Sequence, residues 1–364
     1  MTIAPPVAGR ALPQARGPLS AGVLAALADL PHELPAPLVR LAAAGGADPL
    51  TDEDVQLTLH LAYELHYRAL PGVDERWEWH PSLLALRAAL EDRLEPALAD
   101  LATPLLPAGE VTAGRVAHAL GDLVDADDSP PLASYLQRSA TLSQFREFVM
   151  HRSVYQLKEA DPHSWAIPRL AGRAKAALVE VQADEYGGGR AERMHSILFA
   201  ATMRELGLDD AYGGYVDQVP AITLATSTIP TFFGLHRRLR GALAGHLAAL
   251  EMTSSLPNRR YGNGLRRLGY DRSATRFYDE HVEADAVHEQ VAAHDLCGGL
   301  AAAEPGLARQ ILLGAACCLA LDGRVARLLL GRWQHGLSSL RGDAGPDAGV
   351  PAAPGVPDPV ACPA

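Results

Sequence analysis

Apolar residues recur at three- and four-residue intervals through most of this chain, the spacing that lines them up on one side of an α-helix. From Leu19 to about Asp122 the segments AGVLAALADL, DVQLTLHLAYELHYRAL and PSLLALRAALEDRLEPALADL carry the pattern, interrupted by prolines and glycines, and predict four or five helices. ADDSPPLA, from Ala126 to Ala133, marks a soft boundary. Helices are expected beyond it near 134–160 and 167–185, and, after the run Gly187 to Gly189, from about Ala191 to Leu206. A long helical region from about Ala221 to Thr253 leads into SSLPNRRYGNG, which reads as irregular, and further helices fall near 274–298 and 303–337. Few stretches alternate apolar with polar residues, so the expected class is all-α, and no fixed-period repeat suggests a solenoid.

Composition narrows the setting. A length of 364 residues allows one large domain or a main domain with a smaller one. The expected layout is an unstructured stretch over 1–18, an N-terminal helical region over 19–130 with an accessory or dimerising role, a main helical domain over 134–338, and an unstructured tail over 342–364. Both ends are rich in Pro, Gly and Ala and offer little surface to bury against the entropy of ordering. A formal net charge of -11 argues against nucleic acid as a partner, since phosphate needs a clustered basic surface. No apolar run has a bilayer-spanning length and the first residues lack a signal peptide's apolar centre, so neither secretion nor membrane insertion is expected. Cys297, Cys317, Cys318 and Cys362 show no zinc-binding spacing and are expected to be reduced thiols in a cytoplasmic protein.

The sharpest chemical feature is RFYDEHVEADAVHEQ, where His281, Asp285 and His288 stand at i, i+4 and i+7. On a helix these side chains fall within an arc of about 60° and converge on one point. Imidazole with carboxylate suits iron, manganese or zinc. A second cluster, VEVQADEYGGGRAERMHSILF, sets Glu185 ten residues before His195 across three glycines, which permit the positive φ of a tight turn. Glu192 and His195 also form an ExxH pair of the kind that ligates iron in helical bundles, leaving Glu185 and Glu192 as alternatives. Glu251 closes an Ala/Leu-rich stripe, where a buried carboxylate needs a cation or a proton. Glu159 completes the group, although alone it would read as a surface acid. Glu159, Glu185, His195, Glu251, His281, Asp285 and His288 together suit two divalent ions bridged by carboxylates, with O2 binding between them.

The motif DEYGGGRAERMHSILF, the distant Glu251 and the HxxxDxxH of His281, Asp285 and His288 resemble the haem-oxygenase-like diiron oxidases and oxygenases, the iron-containing redox enzymes. The resemblance covers roughly residues 140 to 338. Glu159 lies 26 residues before Glu185, His195 lies 56 before Glu251, and Glu251 lies 30 before His281. These spacings are similar to those of N-oxygenating members. The resemblance implies a seven-helix haem-oxygenase-like bundle, two irons cycling between Fe(II) and Fe(III), O2 as co-substrate, a peroxo-diferric intermediate and an external electron donor. It implies a small-molecule substrate: an amine or amino acid oxygenated on nitrogen, or an aliphatic amino or fatty acid desaturated or cleaved, in natural product biosynthesis. A fourth candidate carboxylate, one more than the family's usual three, points toward nitrogen. A homodimer is the expected assembly. The competing readings are a non-catalytic helical binding protein and a haem-degrading one, and the carboxylate cluster opposes haem propionates.

Other polar residues have structural readings. His60 and His66 flank Glu64 without an HExxH arrangement, His236 and His246 sit in a helix, and His294 is off the face of His288. Trp77 and Trp79 read as core or subunit-contact anchors. The arginine groups Arg237, Arg238, Arg240 and Arg259, Arg260, Arg266, Arg267 read as solvated or paired with acids.

Overall fold

A computed structural model describes residues 12–342, and within them every side chain except those of residues 283–287. The expectations for residues 1–11 and 343–364, and for Cys362, lie outside the described residues. All regular structure among the described residues is helical, in agreement with the all-α, haem-oxygenase-like expectation. No helix among them is long and apolar enough to cross a membrane.

The N-terminal part comprises α1 (Pro18–Leu27), α2 (Ala36–Ala43), α3 (Glu53–Glu64), α4 (Pro81–Ala102) and α5 (Val116–Asp125). Local chemistry sets their starts. Asp52 caps α3 by accepting from the amides of Asp54 and Val55, and Pro81 opens α4, where a missing N–H costs nothing. Residues 12–17, placed by the sequence in the N-terminal stretch, run extended and are anchored by Arg16, which donates to Glu53 and to the carbonyl of Val219. Trp77 is buried, its indole donating to the Asp29 carbonyl, while Trp79 is 58% exposed.

Beyond Ala126 follow α6 (Leu132–Arg138), α7 (Leu142–Gln156), the single turn α8 (Asp161–Ser164), α9 (Gly172–Glu185) and α10 (His195–Glu205). Then come α11 (Ala221–Leu235), α12 (Arg240–Arg267), α13 (Arg272–Gln290), α14 (Gly299–Ala303) and α15 (Ala308–Gln334). Thr141 and Gln144 form a reciprocal capping box at the start of α7. One continuous set of buried apolar side chains runs from Leu19 to Leu340 and joins both parts of the chain.

The structure departs from the sequence pattern in two places. The region expected as one helix over 221–253 breaks at His236, because Arg169 donates to the carbonyls of Gly234 and Leu235, which a continuing helix would use. Conversely, SSLPNRRYGNG is helical. Proline inside a helix costs about 3 kcal/mol, but past Pro257 the helix buries Tyr261, Gly264 and Leu265, and that packing outweighs the local penalty.

α12 lies at the centre, packed between α13 and α15. Its crossing with α15 is backbone against backbone. A Cβ on Gly245 would stand 1.8 Å from the Ile311 carbonyl oxygen, and one on Gly314 1.9 Å from that of Ala242. Only glycine fits at either point.

Candidate metal centre

Five segments bring their acids and imidazoles together. Glu159 sits in the turn that ends α7, and Glu185 is the last residue of α9. Gly187, Gly188 and Gly189 then take φ of 68°, 60° and 79°, the left-handed backbone that the triple glycine suggested. This turn reverses the chain within ten residues, so that His195, the first residue of α10, faces Glu185. α12 contributes Glu251, and α13 contributes His281 and His288, two turns apart on one face.

Two groups result. Donor atoms of Glu159, Glu185, His195 and His281 lie within 4.8 Å of one another, as do those of Glu185, Glu251 and His288. Glu185 belongs to both. Its side chain and those of His195, Glu251, His281 and His288 are buried, and Glu159 is partly so. His195 Nδ1 and Glu185 Oε2 stand 2.9 Å apart, His288 Nδ1 and Glu251 Oε2 3.5 Å, and His281 Nε2 and Glu159 Oε1 3.6 Å.

The donor set fits metal ions. Glu159 Oε2, Glu185 Oε2 and His195 Nδ1 are buried without hydrogen bonds, an arrangement that costs several kcal/mol unless a cation meets the lone pairs. Neighbouring ligands in an octahedral shell with bonds of about 2.1 Å stand about 3 Å apart, which is the separation of His195 Nδ1 from Glu185 Oε2. Outer contacts orient the rings. His281 Nδ1–H donates to the Phe277 carbonyl at 2.8 Å; a carbonyl only accepts, so Nε2 is left as the lone pair on the side of Glu159. His288 Nε2 faces Asp184 at 3.7 Å.

Electrostatics agree. Burial pushes the Glu185 carboxyl up, but the imidazoles of His195, His281 and His288 outweigh burial and hold it below its ordinary value. Burial likewise lowers His195, and the charge of Glu185 more than restores it, leaving the ring raised. Contact with Glu251 raises His288 against burial.

A cavity of about 330 Å³ opens beside the centre, of a size for a small molecule. Glu185, Glu251 and His281 line it at buried positions and Glu159 at a partly buried one, and Arg152 and Asp322, paired at 3.2 Å, line it elsewhere. Tyr155 contributes a phenol that burial, together with Glu159, Glu185 and Glu251, keeps protonated. It approaches His163, which pairs with His246 at 3.2 Å; both rings are held neutral by burial.

Of the seven residues singled out in the sequence, six converge here, and the side chain of Asp285 lies outside those described. Glu192 is exposed in a short turn and belongs to neither group, whereas Glu185 belongs to both. The residues with structural readings have structural surroundings. His66 bonds to Glu78 and Arg87, His236 to Glu91, Arg238 to Glu95 and Arg266 to Asp279, while His294 is exposed.

Two glutamines went unnoticed. Gln156 and Gln182 each stand three residues before a cluster carboxylate, in QLKE and QADE, and both line the cavity. Gln182 Nε2 donates to the Ala160 carbonyl at 2.7 Å, which fixes the amide orientation, and its buried Oε1 accepts no hydrogen bond. The repeated QxxE was the available signal: in α9, Gln182 and Glu185 stand at i and i+3 on one helix face, and Gln156 is the last helical residue before the turn that carries Glu159.

Comparison with known proteins agrees with the site. Residues 146–323, which contain all seven positions, match the family described as iron-containing redox enzyme. A nitrosourea synthase from Streptomyces achromogenes subsp. streptozoticus is 27% identical over 214 residues, a match that covers 56% of this chain and 45% of that protein. The matched segment thus spans less than half of the relative's length. Over residues 146–323, just under half of its length, this chain is therefore similar to the iron-containing redox enzymes.

Proposed function

We propose that the chain is a diiron oxygenase that uses O2 to oxidise nitrogen on a small amine or amino-acid-like substrate. The observation that carries this reading is the membership of Glu185 in both donor groups, as expected of a carboxylate between two ions. Glu159, His195 and His281 would hold one iron, and Glu251 and His288 the other, with Asp285 completing the set as the motif implies. Iron held there would supply two electrons for the reduction of O2, which with two from the N–H substrate would leave one oxygen atom on nitrogen and the other in water. An external donor then returns the electrons.

The rest of the site binds and orients. Gln182 Oε1, and Gln156 Oε1 on the neighbouring helix end, are acceptors along the cavity and suit a substrate that brings N–H groups. Phe148, Phe199 and Phe277 keep water from the wall between them and the carboxylates. Arg152 and Asp322 offer one charge of each sign, complementary to an amino acid's head group. The nitrosourea synthase among the relatives supports nitrogen over carbon as the atom oxidised.

Metal analysis followed by O2 uptake across amines and amino acids tests the reading. It expects two irons per chain, substrate-dependent O2 consumption and a product heavier by one oxygen, with uptake abolished in His281→Ala and Glu251→Ala. Absence of iron binding would overturn it. A product lacking two hydrogens or a carbon unit would move the chemistry from nitrogen to carbon.

A further inference from the structure

Glu159 lies outside regular helix, in a turn at the end of α7, yet every residue around it is fastened. Arg68 donates to the Leu157 carbonyl at 3.0 Å. Lys158 is 2% exposed, and its Nζ donates to Glu64 Oε1 on α3, 94 residues away in sequence. The same ammonium lies 4.6 Å from the centre of the Tyr67 ring, and Tyr212 donates to the other oxygen of Glu64 at 2.5 Å. Ala160 takes φ of 75°, a conformation that a non-glycine residue holds only when its surroundings impose it, and its carbonyl accepts from Gln182. Asp161 accepts from the Tyr186 hydroxyl at 2.8 Å. Lys158 is thus tied to α3 and Ala160 to α9, the helix that ends in Glu185, while Leu157 and Asp161 are held by Arg68 and Tyr186 just beyond the ends of those helices, and Glu159 is the member of the turn that joins the donor cluster.

We propose that Glu64 is a positioning residue for the metal centre: through its buried ion pair with Lys158, α3 of the N-terminal part sets Glu159 in place and tunes binding of the ion that Glu159 holds. This rests on the two-metal reading above. Glu159 belongs to one donor group only, so the influence of Glu64 is selective. It reaches the group of Glu159, His195 and His281 and spares the group of Glu251 and His288. Loss of general stability would weaken both alike.

The test is anaerobic Fe(II) titration of the full chain by calorimetry. Its subjects are the wild type, Glu159→Ala as the reference for loss of that ligand, and the double variant Glu64→Gln/Lys158→Met. The double variant removes both charges together, since removing one alone strands a buried charge and destabilises the fold. Circular dichroism then reports whether it remains folded at the wild-type midpoint. The expected result is a folded protein in which one of two Fe(II) sites, the one missing in Glu159→Ala, is weakened roughly 10- to 100-fold, the range seen for groups that orient metal ligands. Two sites of unchanged affinity would overturn the proposal and leave the functional reading intact; a wild type that takes up no iron would overturn both. If the double variant fails to fold, Tyr212→Phe, which removes the hydroxyl that donates to Glu64 and leaves the Glu64 and Lys158 charges paired, takes its place. There too, selective weakening supports the proposal and wild-type affinity at both sites overturns it.

Discussion

Glu147 and Glu185 are both carboxylates buried inside one helical bundle, and their surroundings are opposite. A single oxygen of Glu147 accepts from the Trp333 indole, the Ser339 amide and the Ser339 hydroxyl, at 2.7, 2.7 and 2.5 Å. Glu185 Oε2 receives no hydrogen bond and faces imidazoles and other acids. The first charge is answered by donors already in the fold and pins the segment after α15 to α7. The second is answered by imidazoles that are themselves candidate metal ligands, His195 standing 2.9 Å away, so its neighbourhood gathers donors for a cation where that of Glu147 gathers hydrogen-bond donors. Burial alone would have classed the two together; counting donors separates them.

The largest test of that contrast is Glu185→Ala. Iron content should fall from two per chain to none held tightly, while the thermal midpoint of the metal-free protein should not drop; retained iron would break the comparison. Glu147→Ala should do the reverse. It leaves the Trp333 and Ser339 donors buried without an acceptor, costing roughly 3 kcal/mol in urea unfolding, with iron stoichiometry unchanged.

A pH experiment extends the contrast to histidines. Burial depresses His246 from 6.5 to about 4, so the unfolded chain takes up a proton before the folded one does. Stability present above pH 6.5 is therefore lost as pH falls toward 4, by roughly 3 kcal/mol for this residue. His246→Gln should flatten that slope in unfolding measured at pH 7 and pH 4.5; an unchanged slope would mean that the ring does not titrate as a buried neutral group. The smallest effect is expected from Thr141→Ala, which removes the α7 cap at a cost of about 1 kcal/mol. It should leave iron binding untouched, and a change there would show that the centre responds to the α7 helix as a whole.

The helical class was legible because the apolar spacing is regular, and the cluster because His281 and His288 recur at helical spacing and Glu185 and His195 straddle a run of glycines. Glu251 was visible as an acid in an apolar stripe. The sequence could not decide between Glu185 and Glu192, since both are within reach of His195 on paper; the turn through Gly187 to Gly189 leaves Glu192 in solvent. Pro257 was read as a breaker because its penalty is local, whereas the burial of Tyr261 and Leu265 that overrides it comes from distant segments. The tie between Lys158 and Glu64 left no mark in the pattern. A lysine followed by a glutamate reads as surface until the fold carries α3 across to it.

The crossing of α12 and α15 gives the cavity a fixed gauge. Gly245 and Gly314 let the two backbones touch, and neither helix can slide without driving a carbonyl into its neighbour. Glu251 follows six residues after one contact point, and Asp322 eight after the other. The span between the inner carboxylate and the outer one is therefore set by two rigid arms leaving a common rivet.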